Sequence, residues 1–199
     1  TERNQHLIDW LPGVQISKPA LYPSKSDFSM VQQWGKGGYI TISPASLWFT
    51  KQFPVSGWIE FADKLPGDLL VILLGASNDQ DICNQITGRT RHPQMVSLAG
   101  KLGFLQSAAI MKGALMNYVN DSAPMHLASA VNAPVTVVYC STIPAFGFGP
   151  LSDDSGVIEA LPSPACRPCG LHGHRECPEG HFKCALTIKS EQLLTRLRL

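Results

Sequence analysis

The chain has 199 residues, 16 of them basic and 15 acidic, for a formal charge of +1. That balance excludes a broad electrostatic footprint for nucleic acid or an anionic membrane, so any anion must be held locally by backbone dipoles and a few placed side chains. With 44% hydrophobic and 16% charged residues, the composition excludes a disordered chain, and the length suits one good-sized α/β core.

The opening stretch TERNQHLIDW lacks an initiator Met, a basic n-region and an apolar h-region. It reads as the continuation of a longer protein, not as a signal peptide. Residues 1–35 contain Pro12, Pro19, Pro23 and the polar run PSKSDF. A short helix is expected over residues 4–11, where Leu7, Ile8 and Leu11 share a face, and the remainder is expected to be linker.

From Tyr39 the texture changes. YITISP reads as a strand closed by proline, and PVSGWIEFADKL as a helix with Trp58, Phe61, Ala62 and Leu65 on one face. DLLVILLG is apolar without alternation, as a doubly buried strand should be, and it is far shorter than the roughly 18 residues of a membrane span. NDQDICNQITG follows as a helix with acids in its first turn and a terminal glycine. QMVSLAG, ALMNYVN and PVTVVYC read as strands, GFLQSAAIMKG and PMHLASAVNA as the helices between them, and SEQLLTRLRL as a final helix with Ser190 as its N-cap. Strands alternating with short helices predict an α/β fold, a Rossmann-like three-layer αβα sandwich with a parallel sheet. Ligands in such folds sit beyond the carboxyl ends of the strands. The turns to inspect are therefore residues 43–53, 75–79, 99–103, 119–126 and 140–149.

In VNDSAPMHL, Asp121 or Ser122 can cap the helix, with Pro124 in its first turn and His126 incidental. The same geometry also suits a phosphate or pyrophosphate, because a helix start offers unpaired N–H groups and partial positive charge, to which Ser122 and His126 add polar atoms. Lys51 follows a polar turn containing Ser43, Ser46 and Thr50. It is either a solvated surface charge or a counter-charge for a leaving diphosphate. Asp79 either caps the next helix or bonds a ribose hydroxyl. LAGKLG carries neither a Walker nor a G-x-G-x-x-G pattern.

Six cysteines are present. Cys83 and Cys140 are isolated and read as small buried apolar residues. Cys166, Cys169, Cys177 and Cys184 lie in CRPCGLHGHRECPEGHFKC, with His172, His174 and His181 between them. Three readings stay open: a structural zinc ion on the four thiolates, a reduced loop without metal, or disulfides.

Taken in order, KQFP with its amphipathic helix, VILLGASND, LAGKLGFLQSAAIMKGA, VNDSAPMHLASAVNAPVTVVY followed by STIP, and CRPC…CPEGHFKC make the chain resemble the bacterial lipopolysaccharide heptosyltransferases, glycosyltransferase family 9. The resemblance covers about residues 39–195 and is to the C-terminal half of such enzymes. It implies the C-terminal domain of a GT-B fold. On that reading residues 1–35 are an inter-domain helix and linker remnant. Residues 36–199 are then a nucleotide-sugar-binding domain that includes the Cys-rich loop 166–184. The donor would be ADP-heptose or a related ADP-sugar. The acceptor would be the lipopolysaccharide core, held by a missing domain of roughly 150 residues that also supplies the general base.

By the same resemblance, Lys51 contacts and stabilises the donor diphosphate, Ser46 touches phosphate, Asp79 bonds the ribose and Leu102 packs on adenine. Asp121, Ser122 and His126 form the donor motif, with Ala123 where glycine is frequent. A residue needing positive φ would be strained as alanine. The implied reaction is an inverting transfer that needs no catalytic cofactor, at a cytoplasmic site that can lie against the inner membrane. A chain of this extent is not expected to turn over alone. The alternative is a non-catalytic interaction module with a zinc-stapled loop.

Overall fold

The computed structural model describes residues 6–8, 10–13, 17–34 and 38–198. Six strands form one sheet: β1 (Tyr39–Ser43), β2 (Leu70–Leu73), β3 (Met95–Ser97), β4 (Met116–Asn120), β5 (Val135–Tyr139) and β6 (Ser155–Glu159). Their order is β3-β2-β1-β4-β5-β6, and every pairing is parallel. The helices between them are α2 (Val55–Asp63), α3 (Gln80–Thr87), α4 (Phe104–Gly113) and α5 (Ala123–Ala130). This is the doubly wound Rossmann-like arrangement that the alternation of strands and helices predicts.

The apolar strands explain themselves through the two faces they bury. Ile40, Ile42, Val71 and Tyr118 point to one face, where they meet Trp58 and Phe61 of α2 and Cys83 and Ile86 of α3. Tyr39, Ile72, Val119, Val135 and Val137 point to the other, where α4 and α5 lie. Successive residues alternate between faces, yet both faces are covered, so no polar alternation is left to read. Cys83 and Cys140 are fully buried, as expected. Tyr39 reaches through the second face to donate its hydroxyl to the Ile110 carbonyl at 2.6 Å, and burial pushes its phenol up to about 12.

Several boundaries differ from expectation. Within the stretch read as linker, Lys25–Val31 forms α1, whose N-cap Ser24 and Asp27 make a capping box. Val31 joins the second core, with Leu21 and Trp34 packed against it. Of the helix expected over residues 4–11, His6–Ile8 is a 3-10 turn, and residues 4, 5 and 9 lie outside the described residues. The strand β6 has no counterpart among the expected elements. The chain ends in α6 (Lys183–Leu186) and α7 (Ser190–Leu194). Lys189, not Ser190, is the N-cap of α7, and the Ser190 hydroxyl donates instead to Glu60 Oε1 at 2.9 Å. Among the described residues no helix is long and apolar enough to cross a membrane.

Candidate functional site

The chain leaves β1 towards β2 and leaves β4 towards β5, so two adjacent strands send their following loops in opposite directions. A crevice opens between such loops at the carboxyl edge of the sheet. Here it is a cleft of about 810 Å³ whose lining includes Ser46, Lys51, Asp79, Asp121, Ser122 and Ala123.

Lys51 ends a 3-10 turn (Phe49–Lys51) in the loop after β1. Asn120, the last residue of β4, braces that loop from below. Its Oδ1 accepts from the Phe53 N–H at 2.9 Å and its Nδ2 donates to the Pro44 carbonyl at 2.7 Å. Gln52 closes the loop on itself by donating to the Ser46 carbonyl at 2.6 Å. The Lys51 ammonium thereby stands 2.7 Å from Asp121 Oδ2, with the two side chains only 15% and 7% exposed. Thr142 donates to the same carboxylate oxygen at 2.6 Å. The pair is inaccessible enough that deleting either partner leaves a charge stranded.

Asp121 leads into α5. Ser122 holds the N-cap position in an extended conformation (φ −156°), but its side chain caps nothing. Its hydroxyl lies 3.4 Å from the carbonyls of both Ala45 and Asn120. The expected cap is therefore absent, since neither Asp121 nor Ser122 satisfies a first-turn N–H through its side chain. The positive end of the helix meets the cleft with that electrostatic capacity unspent. Ala123 begins the helix without strain: among the described residues only Asn132 and Phe182 combine a side chain with positive φ.

The other expected site residues divide. Ser46 lines the cleft, and so does Leu47, which is 88% exposed beside it. Asp79 lines it too while acting as a cap, its Oδ2 accepting from the Ala76 N–H at 2.8 Å. Gly75 makes room for this, because a Cβ there would stand 2.7 Å from that of Asp79. Leu102 is not in the lining; it packs against the second core, beside α4. His126 sits one turn into α5, outside the lining. Burial holds its imidazole below the usual histidine range, with Lys51 pushing the same way and Asp121 opposing. Asn120 and Thr142, which order the Lys51–Asp121 pair, fall within the VNDSAPMHL and STIP runs, but neither is singled out there as a site residue.

The cysteine loop lies against this cleft. Arg167 anchors it, donating to the carbonyls of Cys140 at 2.6 Å and Thr142 at 2.6 Å and pairing with Glu159. All six cysteines are free, so the loop holds no disulfide. Cys177 Sγ accepts from the Phe182 N–H at 3.3 Å, and Cys166 Sγ stands 3.9 Å from His181 Nε2. Burial pushes the Cys184 thiol up to about 11, with Cys169, Cys177 and Cys166 adding to the effect. Among the described residues no three His, Cys, Asp or Glu side chains converge as metal ligands.

The sequence profile of Glycosyltransferase family 9 (heptosyltransferase) matches residues 9–180. Lipopolysaccharide heptosyltransferase 2 of Salmonella typhimurium is 25% identical over 195 residues, covering 94% of this chain and 52% of the relative. The solved structure of the E. coli ADP-heptose lipopolysaccharide heptosyltransferase II superposes with a TM-score of 0.73 at 24% identity, over 94% of this chain and 54% of that one. An E. coli heptosyltransferase with ADP-2-deoxy-2-fluoro heptose gives 0.64 at 16% identity, over 98% and 53%. The chain thus spans about half the length of the relatives it matches. These matches do not support the further expectation that it is specifically the C-terminal half, and the donor reading rests on the cleft itself. By the profile match over most of its length, the chain belongs to glycosyltransferase family 9, the heptosyltransferases.

Proposed function

We propose that the cleft binds the diphosphate of a nucleotide-sugar donor, of the ADP-heptose class, for inverting transfer to a lipopolysaccharide core acceptor. The observation that carries this is the Lys51–Asp121 pair set against the uncapped start of α5. A cation, a hydroxyl and a helix dipole meet there, which is the combination a diphosphate needs. In the reaction the acceptor hydroxyl attacks the anomeric carbon from the face opposite the diphosphate. The bond to the leaving oxygen breaks with its electron pair, and the acceptor proton passes to a base outside this cleft. Negative charge grows on the diphosphate, where Lys51 and α5 stabilise it more in the transition state than before.

Ser46 and Ser122 supply hydroxyls to the phosphates, and Ala123 lets its backbone approach them. Asp79, its second carboxylate oxygen unclaimed by the cap, takes a ribose hydroxyl. Asp121 orients Lys51. Leu102, partly packed on the second core, and His126, one turn into α5, stand outside the cleft lining. Residues 36–199 act as the donor-binding unit, and transfer takes place on the cytoplasmic side.

For the cysteine loop the proposal is a structural zinc ion on Cys166, Cys169, Cys177 and Cys184. Its support is the C-x2-C-x7-C-x6-C spacing of the four thiols in the sequence. They do not stand in ligand geometry in this structure, so zinc would close the loop further. Metal analysis of the purified chain should then give one zinc per chain; a metal-free chain with titratable thiols rules the ion out.

A thermal-shift screen against ADP-, UDP- and GDP-sugars tests the donor reading. ADP-sugars should raise Tm most. Stabilisation by none of them, or equally by all three, contradicts it.

A further inference from the structure

Thr50, next to Lys51 in sequence, is 1% exposed and tied at every polar atom. Its N–H donates to the His174 carbonyl at 3.1 Å and its carbonyl accepts from the Ser141 N–H at 3.2 Å. Its Oγ1 accepts from the His174 N–H at 2.8 Å and from the Ser141 hydroxyl at 3.0 Å. The tie continues into the cysteine loop, because the Cys169 N–H donates to the Ser141 carbonyl at 3.0 Å. His174 Nε2 and the Cys169 carbonyl stand 2.6 Å apart, which fixes the loop's own shape.

Gly173 completes the contact. Its φ is +79°, and a Cβ on it would come within 2.9 Å of Lys51 Cγ and 3.1 Å of Thr50 Oγ1. The lysine stem therefore runs directly past the loop's backbone. Ser141 and Thr142, consecutive after β5, hold the two ends of the arrangement. Ser141 bonds Thr50, and Thr142 bonds the Asp121 carboxylate that pairs with Lys51. The root of the lysine and its counter-charge are thus registered to the same two residues.

We infer that Thr50 is a positioning residue for Lys51. The cysteine loop, through Gly173 and His174, clamps it together with Ser141 and so sets the reach of the lysine into the diphosphate end of the cleft. This rests on the donor-binding reading above. It adds a role for a loop that does not line the cleft. Without the clamp the 3-10 turn can relax, and the ammonium loses its place before any ligand arrives.

The test compares ADP with adenosine, which lacks the phosphates, on the full chain and on Thr50→Val, Thr50→Ser and Gly173→Ala. Wild type must first bind ADP; if it binds none, the donor reading fails and this inference with it. Given that binding, Thr50→Val should weaken ADP about tenfold and leave adenosine within about twofold, and Thr50→Ser should restore ADP to within about twofold. Gly173→Ala should also weaken ADP selectively, since its methyl displaces the lysine stem. Circular dichroism and Tm check that each variant is folded. If Thr50→Val binds ADP as wild type does, or loses ADP and adenosine in equal proportion, the clamp does not position Lys51 and the inference is overturned. Should Thr50→Val fail to fold, Gly173→Ala decides alone by the same two criteria.

Discussion

The sheet and the cysteine loop hold their shapes by different means. In the sheet Ile40, Ile42, Val71 and Val137 are wholly buried, and the layers above and below are filled by Trp58, Phe61, Ile110 and Met111. The loop contributes much less apolar burial, chiefly Phe182 and Cys184 at its end. It is held instead by polar ties: Arg167 to three carbonyls and Glu159, and His174 to Thr50. Burial of apolar area is non-directional and spread over many contacts. A few hydrogen bonds are directional and can be broken singly. The sheet therefore supplies stability and the loop supplies placement, and the two should fail differently.

The largest effect should come from the sheet. Phe61 is fully buried, with its ring tilted against that of Tyr118 at 4.6 Å, ring centre to ring centre. Phe61→Ala should cost about 3–5 kcal/mol in urea unfolding, with one cooperative transition. Next comes the loop anchor. Arg167 is 4% exposed in its side chain, and Arg167→Ala should cost about 2–3 kcal/mol by leaving carbonyls and Glu159 without their cation. Limited proteolysis should then cut within residues 166–184 while the sheet stays intact. Global unfolding without such local cleavage would mean that the loop and the sheet form one cooperative unit, and the contrast would be lost.

The cleft lies where the two regions meet. Lys51→Met should weaken ADP about a hundredfold, close to 2.7 kcal/mol, because a charge-assisted contact to the diphosphate is removed. It should lower Tm as well, since Asp121 is left buried beside Thr142 alone. Unchanged ADP affinity would place the diphosphate elsewhere. The smallest effect is a pH slope. Burial makes folded His126 a weaker base than the unfolded chain's histidine. On acidification below the ordinary histidine value of about 6.5, the unfolded state takes up the proton first and stability falls. His126→Gln should flatten the loss between about pH 7 and about pH 5 relative to wild type. A slope equal to that of wild type would show that His126 is not its source.

What could be read from sequence follows the same division. Runs such as LLVILLG and PVTVVYC declare buried parallel strands, and the amphipathic face of Trp58, Phe61, Ala62 and Leu65 declares its helix. β6 escapes because it is an edge strand: Ser155 and Val157 are exposed and Gly156 has no side chain to pack. α1 escapes because its Ser24–Asp27 box sits in a proline-rich stretch, where the prolines outweigh it. In the site, Lys51, Asp79, Asp121 and Ser122 are legible because turn chemistry and resemblance both point at them. Their pairing is not, since it depends on β1 and β4 lying side by side after a crossover. Leu102 is named by resemblance alone, and the structure packs it, partly buried, against the second core. Thr50, Ser141 and Gly173 are small residues to which neither turn chemistry nor resemblance assigns a role, though Ser141 opens the STIP run; only the packed loop gives them one.

Calorimetric titration of the 199-residue chain with ADP, beside adenosine under the same conditions, tests the diphosphate site most directly. One ADP should bind per chain, and adenosine should bind at least about tenfold more weakly, because Lys51 and α5 have no phosphate to hold. ADP binding no tighter than adenosine binding, in a chain that melts cooperatively, would contradict a diphosphate site at the start of α5.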